Sequence, residues 1–248
     1  MDPETGREQA VAEPRQRWRV TFGRGADALA TTHRELADTW SAALAARLPL
    51  PRSEGSRQRP PLTFAAPLPT GVAAECELAD LYIAERLPAW RVRQAVCESA
   101  PSGVVVAGVH DVWLGAPALA ASVAAADYRI VLGDAARDPA AIRNAAAHLL
   151  SAATLERRRP RGNDSVAYDL RPLLDAIDVT AAIPVVLLIR TRFHPERGAG
   201  RPEEVLAALA DAVGTPLAAA QIVRERILLS DEIAGNRRVA GTFDARPA

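Results

Sequence analysis

Leu62-Thr63-Phe64-Ala65-Ala66-Pro67-Leu68 sets Leu62, Phe64, Ala66 and Leu68 on one side of an extended chain. Alternation with period two predicts a half-buried strand, and Pro67 and Pro69, which have no N–H to give a ladder, mark its end or a sheet edge. A further strand over 77–85 follows with only a turn between them. Two strands in direct succession decide the topology, because a helix stands on either side of the pair. Upstream, 27–47 contains neither Gly nor Pro and carries Leu29, Leu36, Trp40 and Leu44 near helical spacing. Before that helix, 17–22 alternates Trp18, Val20 and Phe22 with Arg17, Arg19 and Thr21. Downstream, Pro88 opens a helix over 88–99 and 104–114 is a fourth strand. The order β-α-β-β-α-β is that of a ferredoxin-like module.

The same order is expected a second time. Residues 127–132 alternate Tyr128, Ile130 and Leu132. Asp138 is a helix cap and Pro139 a first-turn residue for a helix over 138–155. Residues 165–178 are extended or mixed, 183–193 is a Val/Leu/Ile strand, 201–213 a helix with Pro202 in its first turn, and 221–229 a last strand. The fold class expected is therefore α+β, with two tandem ferredoxin-like modules at 15–115 and 127–230. A linker over 116–126, a disordered lead over 1–14 and a mobile tail over 231–248 complete the organisation. Element order alone carries the repeat, since the halves share no residue-level similarity.

The 248 residues are 49% apolar, enough for real cores, and the formal net charge is zero. A global electrostatic bias toward nucleic acid or membrane is thereby excluded. All 30 cationic side chains are Arg. Without Lys there is no Schiff-base amine and no Walker-type phosphate loop. Cys76 and Cys97 stand alone, which argues against a zinc ribbon, a redox pair or a cysteine set for an iron–sulfur cluster. No metal and no cofactor of its own are expected. The polar N-terminus and the lack of a long apolar run predict a cytoplasmic protein without a membrane segment. In that setting Asn163-Asp164-Ser165 matches a glycosylation sequon by chance.

One segment carries chemistry that core building does not require. It runs from Ser53-Glu54-Gly55 through Arg59-Pro60, Thr63-Phe64-Ala65 and Leu68-Pro69-Thr70-Gly71 to Glu75-Cys76-Glu77, and is preceded by Thr32-His33-Arg34-Glu35-Leu36. Over 17–83 these residues resemble the radical SAM-linked family of unknown function. The pattern of that family has a Ser-His-Leu-Asp-Leu helix start, a Ser-Glu-Gly-Phe-Asn-Pro-Arg-Pro loop, a Ser-Phe-Ala strand, Leu-Pro-x-Gly and Glu-x-Glu. Across 127–229 the likeness rests on Arg201-Pro202-Glu203-Glu204-Val205-Leu206 and Arg224. Here Ser56, Arg57 and Gln58 replace the aromatic, the Asn and the first Pro of the loop. The turn after the first strand reads Gly23-Arg24-Gly25-Ala26, and Ala30 stands where the family has an aromatic before the His. A ligand stacked on those aromatics would not be held here in the same way. The resemblance implies a radical SAM protein as partner.

The binding residues expected are His33, Ser53, Glu54, Gly55, Arg59, Pro60, Glu75 and Glu77, converging in one cleft of the first module. His33 at a helix start is a hydrogen-bond donor, an acid/base or a capping residue. Glu54 and Arg59, around a Gly, can read an anion or a base edge; the plainer alternative is an internal ion pair. Glu75 and Glu77, two apart on a strand, point the same way and can take a cation, or form a solvated face. Phosphate contacts are expected from Arg157, Arg158, Arg159 and Arg161, read as a loop after a helix, and from Arg190, Arg192 and Arg201. The stretch from Arg190 also holds Arg197, Phe193 and His194, and Arg beside an aromatic suits base stacking. Tyr82, Trp90 and Trp113 are expected as core anchors, and His110 and His148 as structural residues.

Three functions are compatible with these residues. The first is an accessory binding module that partners a radical SAM enzyme and recognises or presents its substrate, with RNA or ribonucleoprotein as the class expected. The second is an enzyme using His33 and Glu54 as acid/base partners on an anionic substrate, with Arg59 stabilising charge. The third is a purely structural partner in a complex.

Overall fold

The computed structural model describes residues 13–51, 61–133, 138–161 and 164–235, with backbone only at 160, 161, 234 and 235. The first half runs β1 (Gln16–Arg24), α1 (His33–Ala45), β2 (Leu62–Phe64), β3 (Ala73–Ile83), α2 (Ala89–Glu98) and β4 (Val104–Val112). A four-residue helix α3 (Leu119–Ser122) leads into the second half. That half runs β5 (Val123–Leu132), α4 (Pro139–Ser151), β6 (Glu156–Arg161), β7 (Asp164–Asp169), β8 (Leu174–Val179), β9 (Val186–His194), β10 (Gly198–Ala199), α5 (Pro202–Val213), β11 (Ala219–Leu229) and α6 (Ser230–Gly235). The architecture is α+β around one large mixed sheet.

Local signals explain most of these boundaries. Thr32 and Glu35 form a reciprocal capping box that starts α1. The Asp138 side chain accepts from the N–H groups of Ala140 and Ala141, with Pro139 just inside α4. Gly214, at φ +73°, ends α5 in the left-handed conformation that a side chain would disfavour. In β1, Trp18, Val20 and Phe22 are buried as the alternation requires.

The main path of the sheet is β10-β9-β5-β11-β3-β1-β4, with β2 also on β3 and β8 also on β9. In each half the first strand lies between the third and fourth, and the second pairs with the third, all antiparallel. The halves share this one sheet rather than forming two sheets on a tether, because two strands divide one edge. Short β2 pairs with Ala79, Asp80 and Leu81, and β11 runs parallel to Ala73 and Ala74 further along β3. The second strand was expected over 62–68 and ends at Phe64. Pro67 and Pro69 cannot continue the ladder, and the vacated edge of β3 receives β11.

Other boundaries also differ. β3 begins at Ala73 rather than 77, and the segment expected as a linker over 116–126 holds α3 and the start of β5. Arg157–Arg161, read as a loop, is strand β6, paired with β7 in a hairpin outside the main sheet. The expected tail opens with α6, and the expected disordered lead 1–14 lies, through residue 12, outside the described residues.

Each half has its own apolar core. Trp18, Val20 and Phe22 pack with Leu36, Trp40, Leu44, Val92 and Val96. Ile130, Leu132, Leu187 and Ile189 pack with Ile142, Leu149, Val205 and Leu209. Ala65, Ala66, Leu119, Val123, Ile227 and Leu229 join the two. The four longer helices lie on one face of the sheet. Trp90 and Trp113, expected as core anchors, are 66% and 78% exposed. β4 is an edge strand, so no neighbouring element covers the end where Trp113 follows it. Tyr82 is half-buried, and His110 and His148 are exposed.

Candidate functional site

The start of α1 and the ends of β1, β3 and β11 meet where the halves join. His33 is the first residue of α1 and half-buried, its ring edge-on to Phe64 with centroids 4.8 Å apart. Phe64 in turn meets Phe22 and Trp40.

Two buried guanidiniums lie beneath this histidine. Arg24 ends β1 and donates to the backbone oxygens of Pro69 at 2.6 Å, Val72 at 2.9 Å and Thr31 at 3.3 Å. It thereby fastens the Leu68-Pro69-Thr70-Gly71 turn against the helix start. Gly71, at φ +80°, closes the turn, and its N–H reaches the oxygen of Leu29. Arg224 of β11 forms a fork on Glu77 of β3, through Nε to Oε1 at 2.6 Å and through Nη2 to Oε2. It also donates to the oxygens of Ala66 and Pro67. Burial opposes the charge of Arg224, but the charge and hydrogen bonds of Glu77, with those of Tyr128, outweigh it and hold the guanidinium more basic than usual. Tyr128 is itself pushed up, by burial first.

His33 is held below its ordinary pKa of 6.5, mainly by burial and then by the positive charges of Arg224 and Arg24. The folded chain therefore binds fewer protons than the unfolded chain just below pH 6.5. The stability His33 contributes is complete above that pH and is lost as pH falls through the native pKa. Urea midpoints measured on both sides of pH 6.5 should fall toward acid, and His33→Gln should flatten the decline. An unchanged slope in the variant would rule out this role.

Glu75 and Glu77 do not form a carboxylate pair. Phe22 faces Glu77 and Arg24 faces Ala74, so two steps on β1 oppose three on β3. This bulge reverses the alternation. Glu77 shares the helix-covered face with Arg224, whereas Glu75 bonds Arg129 at 2.7 Å on the other face, where Arg129 also holds Glu225. Among the described residues no group of three or more His, Cys, Asp or Glu could hold a metal ion. Of the residues expected to converge, His33 and Glu77 meet around Arg224. Ser53, Glu54, Gly55, Arg59 and Pro60 lie outside the described residues.

The open face is a row of internal ion pairs. Asp80 accepts from Arg17 and Arg19, and Asp127 from Arg190 and Arg226. Among the arginines expected to contact phosphate, Arg190 is thus closed on Asp127, Arg192 on Asp175 and Arg157 on Asp211. Arg158 bonds the Ser165 hydroxyl, Arg159 lies over the Tyr168 ring, and Arg201 is exposed at the start of α5. The side chain of Arg161 lies outside the described residues.

Sequence reasoning passed over Arg24, Tyr128, Asp80 and Asp127. The available signal was a lone charge within an apolar strand: Asp80 stands between Ala79 and Leu81, and Asp127 between Ala126 and Tyr128. Such a residue requires a buried partner.

No helix among the described residues is long and apolar enough to cross a membrane. No curated protein matches the chain. Among solved structures, a chain in a crystal structure of a Cbf5-Nop10-Gar1 complex is similar at 12% identity and a TM-score of 0.48, over 91% of this chain. This protein spans about half, 56%, of the length of that chain. A family profile covers β1 through the opening of α5, matching residues 17–202, and the chain accordingly belongs to the family described as uncharacterized protein conserved in bacteria (DUF2344).

Proposed function

We propose that this chain is an accessory binding module that partners a radical SAM enzyme and recognises or presents its substrate, with RNA or ribonucleoprotein as the class. We read it as two tandem ferredoxin-like modules, supported by the strand orders β4-β1-β3-β2 and β11-β5-β9-β8. The observation that carries the functional reading is the clamp around His33. Arg24 and Arg224 fasten the Leu68-Pro69-Thr70-Gly71 turn and Glu77. These are parts of the motif that resembles the radical SAM-linked family. Motif residues closed on one another hold a surface in shape, which suits recognition because little ordering is left for binding. The cysteine count supports the same reading, since Cys76 and Cys97 are too few to hold a cluster and the radical chemistry would belong to a partner.

The test is capture of the tagged full chain from the cell in which it is native, with mild crosslinking and identification of co-purified protein and RNA. A cluster-binding radical enzyme recovered in near-equal amount is the result expected. Recovery of the chain alone, before and after crosslinking, overturns the proposal.

A further inference from the structure

The connection from α4 to β8 is longer than a β-α-β-β-α-β path requires, and it folds as the β6–β7 hairpin. The hairpin is braced along α5. At its base Arg157 bonds Asp211, toward the end of that helix. Across from it Tyr168 packs against the second core, and burial followed by a hydrogen bond to Glu204 raises its phenol pKa. The Arg159 guanidinium lies 4.9 Å from the Tyr168 ring centre. A Cβ placed on Gly198 would sit 3.6 Å from Arg159 Nη1. Arg159 is thus brought against the turn that carries Arg197 and, three residues beyond Gly198, Arg201.

These arginines differ from those of the open sheet face. Among the described residues, Arg158, Arg159, Arg197 and Arg201 have no carboxylate partner, whereas Arg157, Arg190 and Arg192 do. Nearby acids have other surroundings. Glu204 hydrogen-bonds Tyr168, Glu203 acts on Tyr128, and Glu196 and Asp164 are exposed. Val166 is the exposed large apolar residue of the hairpin. A peptide ligand would need buried apolar anchors, which this edge does not offer. Guanidiniums on a braced, polar ribbon suit phosphate oxygens, which they grip in two-pronged fashion.

We infer that the β6–β7 hairpin and the Gly198 turn form the edge that holds the phosphate backbone of RNA, with Arg158, Arg159, Arg197 and Arg201 as the contacts. The inference rests on the RNA reading above and gives it a location. The test uses the full chain and a fluorescein-labelled oligouridylate, with affinity followed from low to physiological salt. Arg158→Gln/Arg201→Gln should weaken binding at low salt about tenfold and lower the log–log salt slope by about one unit. Arg86→Gln/Arg91→Gln, which removes equal charge from exposed sites elsewhere, should leave both unchanged, and Arg158→Lys/Arg201→Lys should keep the slope. Circular dichroism and urea midpoints establish that each variant is folded. If the wild type binds and the Gln pair changes neither quantity, the hairpin is not the site, although the RNA reading survives. If the wild type shows no binding at low salt, both fall, and the partner reading remains with the capture experiment. Equal affinity for an oligodeoxythymidylate would overturn the assignment to RNA.

Discussion

Glu77→Gln is expected to destabilise this protein by about 3–5 kcal/mol, because it leaves the buried Arg224 charge without its counter-charge. Arg224 is 1% exposed and Glu77 2%, so water cannot take over the lost interaction. The pair also joins the two halves, linking β3 to β11 where only Ala73 and Ala74 of β3 pair with β11. Urea unfolding should show the full loss, and hydrogen exchange should rise over 65–72, whose oxygens at Ala66 and Pro67 accept from Arg224. Glu77→Leu/Arg224→Met should recover most of the stability, since removing both charges together avoids an orphaned ion. A single-variant loss below about 1 kcal/mol, the scale of an exposed pair, would show that the fork contributes no more than a surface salt bridge.

The second large effect is expected on the opposite face of β3. Asp80 is fully buried and accepts from Arg17 Nε at 2.8 Å and Nη2 at 2.5 Å, and from Arg19 Nε at 2.9 Å and Nη2 at 3.2 Å. Arg17 turns its remaining donors to the oxygens of Ala116 and Pro117, in the crossover that leads from β4 to the second half. Asp80→Asn should therefore cost about 3–5 kcal/mol and raise hydrogen exchange over 113–119. Arg19→Gln should cost much less, because Arg19 is 20% exposed and water can replace part of its bond. If the Asp80 and Arg19 variants lose equal stability, Arg17 is not the residue that makes Asp80 matter.

Half of the candidate site was legible before any coordinates. His33 and Glu77 stood out because their residue types and positions matched a family pattern, and Arg224 was part of the weaker likeness. Their arrangement was not legible. Glu75 and Glu77 are two apart on a strand, and simple alternation puts both on one face. The bulge opposite Phe22 and Arg24 separates them, and nothing within Ala74-Glu75-Cys76-Glu77 marks it. Arg190 and Arg192, spaced as a phosphate-binding stretch, are closed on Asp127 and Asp175. Whether an arginine is available to a ligand depends on which strand lies beside it.

What the sequence alone determined is local. Side-chain period along a strand, the Thr32–Glu35 capping box and the Asp138-Pro139 helix start each act within a few residues, so the order of strands and helices follows from short windows. What only the tertiary structure decided are the long-range pairings. Glu77 and Arg224 are 147 residues apart, and Arg17 and Asp80 are 63 apart. A buried charge must be neutralised, but burial does not specify by which of many opposite charges. That choice is made when β11 settles beside β3 on the edge left by a short β2, because only then does one particular arginine come within reach of one particular carboxylate.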